Sequence, residues 1–232
     1  MAITTAPHRS GHTAHHGQPI PIAVLVAALA VVVGLITLLA YGSSGATATQ
    51  TRTVARFTSL ELAGSNNVTI IVGRAQSVVV HADSNLINHV TTDVVAGTLV
   101  IGDTGSFTAS GPMSVDVSVP SLTALTLSGS GQISVTGIST PQLTVTVSGS
   151  GRVSAAGTAT QLDVTINGSG QAQLSQLTAR DAHAVVSGSG LIQVTATTSL
   201  DAAVPGSGTI VYGGNPPQVT TSVTGSGTVT RG

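Results

Sequence analysis

Three ionisable residues recur at one position of a repeated sequence pattern and could form a polar site. Asp163, His183 and Asp201 each stand five residues before a Gly-Ser-Gly triplet. If successive repeats stack as parallel strands, their backbones lie about 5 Å apart and His183 stands between two carboxylates. Such a histidine could act as a general acid or a weak metal ligand, whereas a solvated ladder of charges is the alternative interpretation. We treat the three as candidate ligand-binding residues and assign no metal site.

Other residues that catalysis commonly uses are scarce. The chain contains a single glutamate, Glu61, and neither lysine nor cysteine. A Schiff-base lysine, a Walker A lysine and a cysteine nucleophile are therefore excluded, and no acid pair suited to glycoside hydrolysis stands out. Each of the six Gly-Ser-Gly triplets contains one serine, and this repetition favours a structural role over that of a unique nucleophile. We expect a protein without catalytic residues, enzymatic activity or cofactor.

An internal repeat decides which residues come together. Gly-Ser-Gly occurs six times, at spacings of 20, 19, 20, 18 and 19 residues. A propeller blade, at roughly 40 residues, is too long for this period, whereas one coil of a parallel β-helix fits it. We therefore predict an all-β fold, a right-handed parallel β-helix with coils of about 19 residues.

Aliphatic and polar residues alternate on both sides of each triplet, which predicts that one side of both flanking strands faces the core. Glycine is expected at the corners because it tolerates positive φ and because it lacks a Cβ where corners of successive coils meet. The predicted structural corner glycines are Gly129, Gly131, Gly149, Gly151, Gly168, Gly170, Gly188, Gly190, Gly206, Gly208, Gly225 and Gly227.

Both ends of the repeat depart from the regular pattern. Residues 60–70 follow the same alternation, with Asn66 in place of the second glycine, which predicts an early degenerate coil. Apolar alternations at longer spacing, between residues 78 and 119, predict further strands and a cap. After the last triplet, Arg231 falls on an inward column, where a charge discourages further strand addition. We expect this end to be a candidate for contact with a partner or a second copy.

The segments FTSLELAGSNNVTIIVG, VVVHADSNLINHV, GTLVIG and SVDVSVPSLTALTLSGSG, together with the repeats that follow, carry a family resemblance. They resemble the head GIN domain family of putative autotransporter adhesins, also called DUF2807, over roughly residues 54–232. The resemblance implies a bacterial envelope protein with a right-handed parallel β-helix, and it implies no catalytic residue. Many members of that family are lipoproteins, whereas this chain has no cysteine to carry a lipid.

The N-terminal part of the chain is predicted to lie in a different environment. Residues 1–19 are polar and contain histidine, which predicts a disordered tail. Residues 20–41 include an uncharged apolar run long enough to cross a membrane as one helix, and a cleaved signal peptide with a small-residue motif at 46–48 is the alternative. Residues 42–53 are predicted to be a flexible linker and residues 54–232 one β-helix domain. The arginine distribution leaves the orientation open, but the uncharged polar surface and the family resemblance favour an extracytoplasmic domain.

Composition restricts the class of partner. Only 6% of the residues are charged, the basic residues are 7 scattered arginines, and 2% are aromatic. This composition excludes a nucleic-acid-binding protein. We expect a single-pass protein of the cell membrane whose C-terminal domain binds an unknown surface or envelope protein or a polysaccharide, as a monomer or a homo-oligomer. A carbohydrate-binding or carbohydrate-active β-helix is the alternative function.

Overall fold

A computed structural model describes residues 46–105 and 113–232, which belong to one compact unit. The predicted tail (1–19) and transmembrane helix (20–41) lie outside the described residues. Among the described residues, no helix has the length and hydropathy needed to cross a membrane. The strands are β1 (Thr47–Arg52), β2 (Ser59–Leu62), β3 (Asn67–Val72), β4 (Ser77–Asp83), β5 (Val90–Val95), β6 (Thr98–Asp103), β7 (Ser114–Val119), β8 (Ala124–Leu127), β9 (Gln132–Val147), β10 (Arg152–Ile166), β11 (Gln171–Val186), β12 (Leu191–Val204), β13 (Thr209–Gly214), β14 (Gln218–Val223) and β15 (Thr228–Arg231).

Most of the fold is a parallel β-solenoid of about five turns. Strands β9 to β12 each extend from one Gly-Ser-Gly triplet to the next, and neighbours in this series pair in parallel along most of their length. Strands β13 and β14 pair with the first and second halves of β12, and β15 pairs with β13. The prediction of an all-β fold built from stacked parallel coils is therefore confirmed.

The alternating aliphatic residues form buried columns through the solenoid. Two residues before the triplets, Leu127, Val147, Ile166, Val186 and Val204 are each 0% exposed. They stack because equivalent residues of adjacent coils pair in register, so each side chain packs on the one above and the one below. These columns therefore belong to the hydrophobic core of the domain.

The last coil is open. Val223 continues the same column but is 44% exposed, and every residue of β14 is exposed. Arg231 pairs with Tyr212 in the predicted register, yet its side chain is exposed and Nη2 donates a hydrogen bond to the carbonyl oxygen of Gly214 at 3.2 Å. Arg231 therefore stands in the predicted column, but its side chain is exposed because within the described residues no further coil encloses that end of the column.

The corners stack as predicted, but for only one of the two expected reasons. No corner glycine of the six triplets has a positive φ. A Cβ on Gly129 would instead overlap the carbonyl oxygen of Gly64, and a Cβ on Gly149 would overlap that of Gly129. Glycine is required here because the backbone of the preceding coil occupies the space of a side chain. The serines of the triplets are exposed.

A second bend in the coils, which the sequence analysis missed, does use the conformational freedom of glycine. Gly137, Gly157 and Gly214 have φ angles of 79°, 139° and 83°. The register between neighbouring coils shifts beside Gly157, as expected where a strand turns from one face of the solenoid to the next. The six triplets are therefore one of two sets of glycines that shape the coil.

The N-terminal strands supply the first coil and its cap. Strands β2 and β3 pair with β8 and β9, so residues 59–72 stack directly on the first coil that contains a triplet. The predicted degenerate coil is thus confirmed. On its other side it pairs with β6 and β7, and the antiparallel strands β1, β4 and β5 complete this end. Asn66 occupies the place of the second corner glycine, and its Nδ2 donates a hydrogen bond to Asp103 Oδ1 at 2.7 Å.

The predicted linker contains a strand. Residues Thr47–Arg52 form β1, which pairs antiparallel with β4, so the expectation of a flexible segment up to residue 53 is wrong for these residues. Ala48 and Gln50 alternate inward, and Arg52 Nη2 donates hydrogen bonds to the carbonyl oxygens of Ile87 at 2.8 Å and Val90 at 3.2 Å. Burial lowers the pKa of Arg52. Strand β1 thereby covers the edge of β4, which would otherwise expose unpaired backbone groups.

Candidate functional site

The three candidate ligand-binding residues lie side by side on adjacent coils. Asp163 on β10 pairs with His183 on β11, which pairs with Asp201 on β12. Thr220 on β14 extends the column by one coil. The inward residues Leu162, Ala182 and Leu200 alternate with these positions, which holds the polar side chains on the outer face.

Three side chains of this column have polar partners. His183 Nδ1 lies 3.3 Å from Asp201 Oδ2, and the two side chains are 47% and 59% exposed. Asp163 Oδ2 instead accepts a hydrogen bond from Gln142 Nε2 at 3.3 Å. His183 is therefore paired with one of its two neighbouring carboxylates, and Asp163 is held from the other side of the column by an amide.

A second polar column, which the sequence analysis did not identify, runs beside the first. It consists of Gln142, Gln161, Asp181, Ser199 and Gln218, each seven residues before a triplet. The same repeat that revealed the first column could have revealed this one, because two residues along a strand return to the same face. The signal was weaker, since this column contains only one ionisable residue.

Two interactions fix Asp181 within that column. Its Oδ1 accepts a hydrogen bond from Ser199 Oγ at 2.6 Å, and its Oδ2 lies 3.6 Å from Arg180 Nε. The Asp181 side chain is 34% exposed, less than those of His183 and Asp201. Its carboxylate is therefore held by two neighbouring side chains and is partly shielded from solvent.

The two columns line an open groove of about 350 Å³. We call it the axial groove, because it crosses four successive strands and so runs along the solenoid axis. Buried aliphatic side chains form its floor, and its polar residues are Gln161, Asp163, Asp181, His183, Ser199, Asp201, Gln218 and Thr220.

The axial groove carries an excess of negative charge. Three aspartates lie in it, out of 8 acidic residues in the whole chain. Arg180 is the basic residue that the structure places against one of them, at Asp181. Within residues 46–105 and 113–232, no group of three or more His, Cys, Asp or Glu side chains is arranged to hold a metal ion. The groove offers hydrogen-bonding groups on carboxylates, amides, hydroxyls and one imidazole.

Comparison with solved structures supports the fold. A putative adhesin from Bacteroides fragilis NCTC 9343 superposes with a TM-score of 0.67 at 22% sequence identity, covering 81% of this chain and 98% of that chain. A putative lipid binding protein from Parabacteroides distasonis ATCC 8503 superposes with a TM-score of 0.50 at 20% identity, covering 80% and 96%. At such identities the likeness concerns the fold alone. Among curated proteins, none matches this sequence significantly.

Family comparison covers most of the solenoid and of its cap. The matching family is described as a putative auto-transporter adhesin, head GIN domain, and the match extends over residues 56–216. These limits include the axial groove except for its last coil, and they agree with the resemblance carried by the sequence segments quoted above. The chain therefore belongs to the auto-transporter adhesin head GIN domain family, DUF2807.

Proposed function

We propose that this protein is a non-catalytic interaction module of the cell envelope, anchored in the membrane through residues 20–41, with the solenoid on the extracytoplasmic side as a right-handed coil. The observation that carries the proposal is the outer face of β9 to β12, where columns of polar side chains stand at fixed spacing on a closely packed core. Binding to such a surface costs little backbone ordering entropy, because the paired strands already fix the backbone. The description of related proteins as adhesins agrees with this role.

Two threonines beside the axial groove provide the test of the binding face. Thr146 and Thr165 pair on adjacent coils, and Thr165 stands two residues beyond the groove residue Asp163. We expect the double substitution Thr146→Arg, Thr165→Arg to reduce adherence several-fold when the full chain is displayed on a non-adherent host cell, because the two long side chains obstruct the surface beside the axial groove. Adherence to coated surfaces and cell-to-cell aggregation are measured together.

The matched control is Thr158→Arg with Thr178→Arg. These two threonines also pair on adjacent coils and are exposed, but a register shift between Ala179 and Asp181 separates their segment of the coil from the groove positions, and Thr158 lines a different surface depression. We expect the control to adhere as the unaltered chain does. Equal adherence of both double variants and the unaltered chain, or no adherence by any of them, would contradict the proposed binding face.

Thiol labelling tests the proposed extracytoplasmic location. The natural chain contains no cysteine, so an introduced cysteine is the single site of labelling. Ser169 is exposed at a corner, so Ser169→Cys introduces a single thiol that a membrane-impermeant maleimide can reach. We expect labelling of this variant in intact cells, and labelling of Thr5→Cys only after permeabilisation, because residues 20–41 would separate the two positions. Labelling of Ser169→Cys only after lysis would reverse the proposed orientation.

A further inference from the structure

We infer that the axial groove binds an extended glycan, neutral or amino-bearing, that lies along the solenoid axis. The inference rests on the proposed function, since it names the ligand class of the same face. Its basis is the combination of a shallow groove, two parallel columns of hydrogen-bonding side chains, and an excess of aspartates that disfavours acidic polymers.

The spacing of equivalent residues along the groove matches the repeat length of a polymer rather than the shape of a compact ligand. Adjacent coils place equivalent residues about 4.8 Å apart, and the groove spans four of them. One sugar ring of an extended glycan is about as long as one coil is high. A chain of such rings therefore meets a carboxylate, amide, imidazole or hydroxyl at each step, and affinity should grow with the number of rings up to the length of the groove.

The polar side chains are already oriented for sugar hydroxyls. Asp163 and Asp201 each use Oδ2 in a hydrogen bond or ion pair, with Gln142 and His183 respectively. Among the described residues, Oδ1 of these two aspartates takes no hydrogen bond, so it can accept one from a ligand hydroxyl or ammonium group. The amides of Gln161 and Gln218 supply both donors and acceptors. A polyhydroxylated ligand needs both donors and acceptors, because each of its hydroxyl groups can donate and accept hydrogen bonds.

Charge disfavours acidic polymers, and backbone pairing disfavours peptides that bind by strand addition. Three aspartates repel nucleic acids, phosphorylated ligands and acidic polysaccharides. A peptide binding by strand addition requires a free sheet edge, whereas the groove lies on the face of a sheet whose strands are already paired on both sides in β10, β11 and β12. An amino-bearing glycan gains charge-assisted hydrogen bonds from the same aspartates.

Binding to a single groove should be weak. The groove contains no aromatic side chain on which a sugar ring could stack, so a short oligosaccharide is expected to have a dissociation constant on the order of 1 mM. Adhesion would then depend on many copies acting together at a surface.

The test is a titration of the purified full chain in detergent micelles, followed by NMR or calorimetry. The probes are chitosan and cello-oligosaccharides of two to six sugars, with oligogalacturonate as the acidic control. We expect affinity to rise with length up to about four sugars, one per coil, with chitosan oligosaccharides binding most tightly and oligogalacturonate not binding. We expect Asp163→Ala with Asp201→Ala to lose at least tenfold in affinity.

The control variant is Asp116→Ala. Asp116 is exposed on β7 and pairs with His81 at 3.1 Å, so it reproduces the environment of Asp201 away from the groove. We expect it to bind as the unaltered chain does, and melting curves verify that each variant is folded. Absence of binding to every probe, preference for oligogalacturonate, or equal losses in the control and the groove variant would each overturn the inference.

The failure of this inference differs from that of the proposed function. If adherence of the displaying cells depends on Thr146 and Thr165 but no glycan probe binds, the proposed interaction function is retained and the partner is a protein. Shortened oligosaccharides detected by mass spectrometry would instead contradict the non-catalytic part of the proposed function.

Discussion

Substituting alanine for Gly149 is expected to lower the free energy of unfolding by about 3 kcal/mol, near the upper end of the cost of overpacking. The added Cβ would overlap the carbonyl oxygen of Gly129 in the preceding coil. Because that atom belongs to the backbone and the coils are locked in register, no side-chain rotation relieves the contact. The φ angle of Gly149 lies outside the left-handed region, so alanine suffers no backbone strain there. Reduced freedom of the unfolded chain would otherwise make this substitution slightly stabilising.

Urea denaturation of the full chain, followed by far-ultraviolet circular dichroism, measures the effect. The matched control is Ser150→Ala, one residue further along the same corner, where the serine side chain is exposed. We expect the control to change the free energy of unfolding by less than about 0.5 kcal/mol. If Gly149→Ala is as stable as the control, the corners do not stack as closely as the structure indicates.

Ile166→Ala is expected to cost about 3 kcal/mol of unfolding free energy, within the range for deleting a large buried aliphatic side chain. Ile166 is fully buried in the column that also contains Val147 and Val186. The coils above and below are held apart by strand hydrogen bonds, so they cannot collapse into the space that the missing methyl and methylene groups leave. The same denaturation experiment measures the loss.

The control for Ile166 lies at the open end of its own column. Val223 occupies the equivalent position of the last coil but is 44% exposed. We expect Val223→Ala to cost less than about 1 kcal/mol, because less apolar surface returns to water and the cavity is open. Similar losses for Ile166→Ala and Val223→Ala in the full chain would mean that the last coil is covered in solution, as it would be if a second copy packed on it.

The repeated part of the structure was predictable because its physical constraints recur in the sequence. Because the coils have nearly constant length, equivalent residues form columns. The sequence therefore repeats the same residue type, apolar or polar, once in every coil of a column. Asp163, His183 and Asp201 could be placed side by side for this reason. The degenerate coil around Asn66 was predictable on the same grounds, since its aliphatic alternation survives although one corner glycine does not.

The errors occurred where a residue has no repeated equivalent or where its partner is distant in sequence. Strand β1 was taken for a linker because its small polar residues carry no strong apolar alternation, and its pairing depends on β4, about thirty residues away. Arg231 keeps the predicted register, but its exposure was not anticipated, because nothing encloses the last coil in the described structure. The groove partner Asp181 was missed because its own column offered few chemically distinctive residues.

The amino-acid sequence by itself determined the coil length, the corner positions and the identity of the buried columns, because these follow from local alternation and from a period that is visible without any partner. Only the tertiary structure showed why the corners need glycine, how β1, β4 and β5 cap the N-terminal end of the solenoid, and how two polar columns combine into the axial groove. Those features depend on distances between backbones and side chains of different coils, which no single repeat contains.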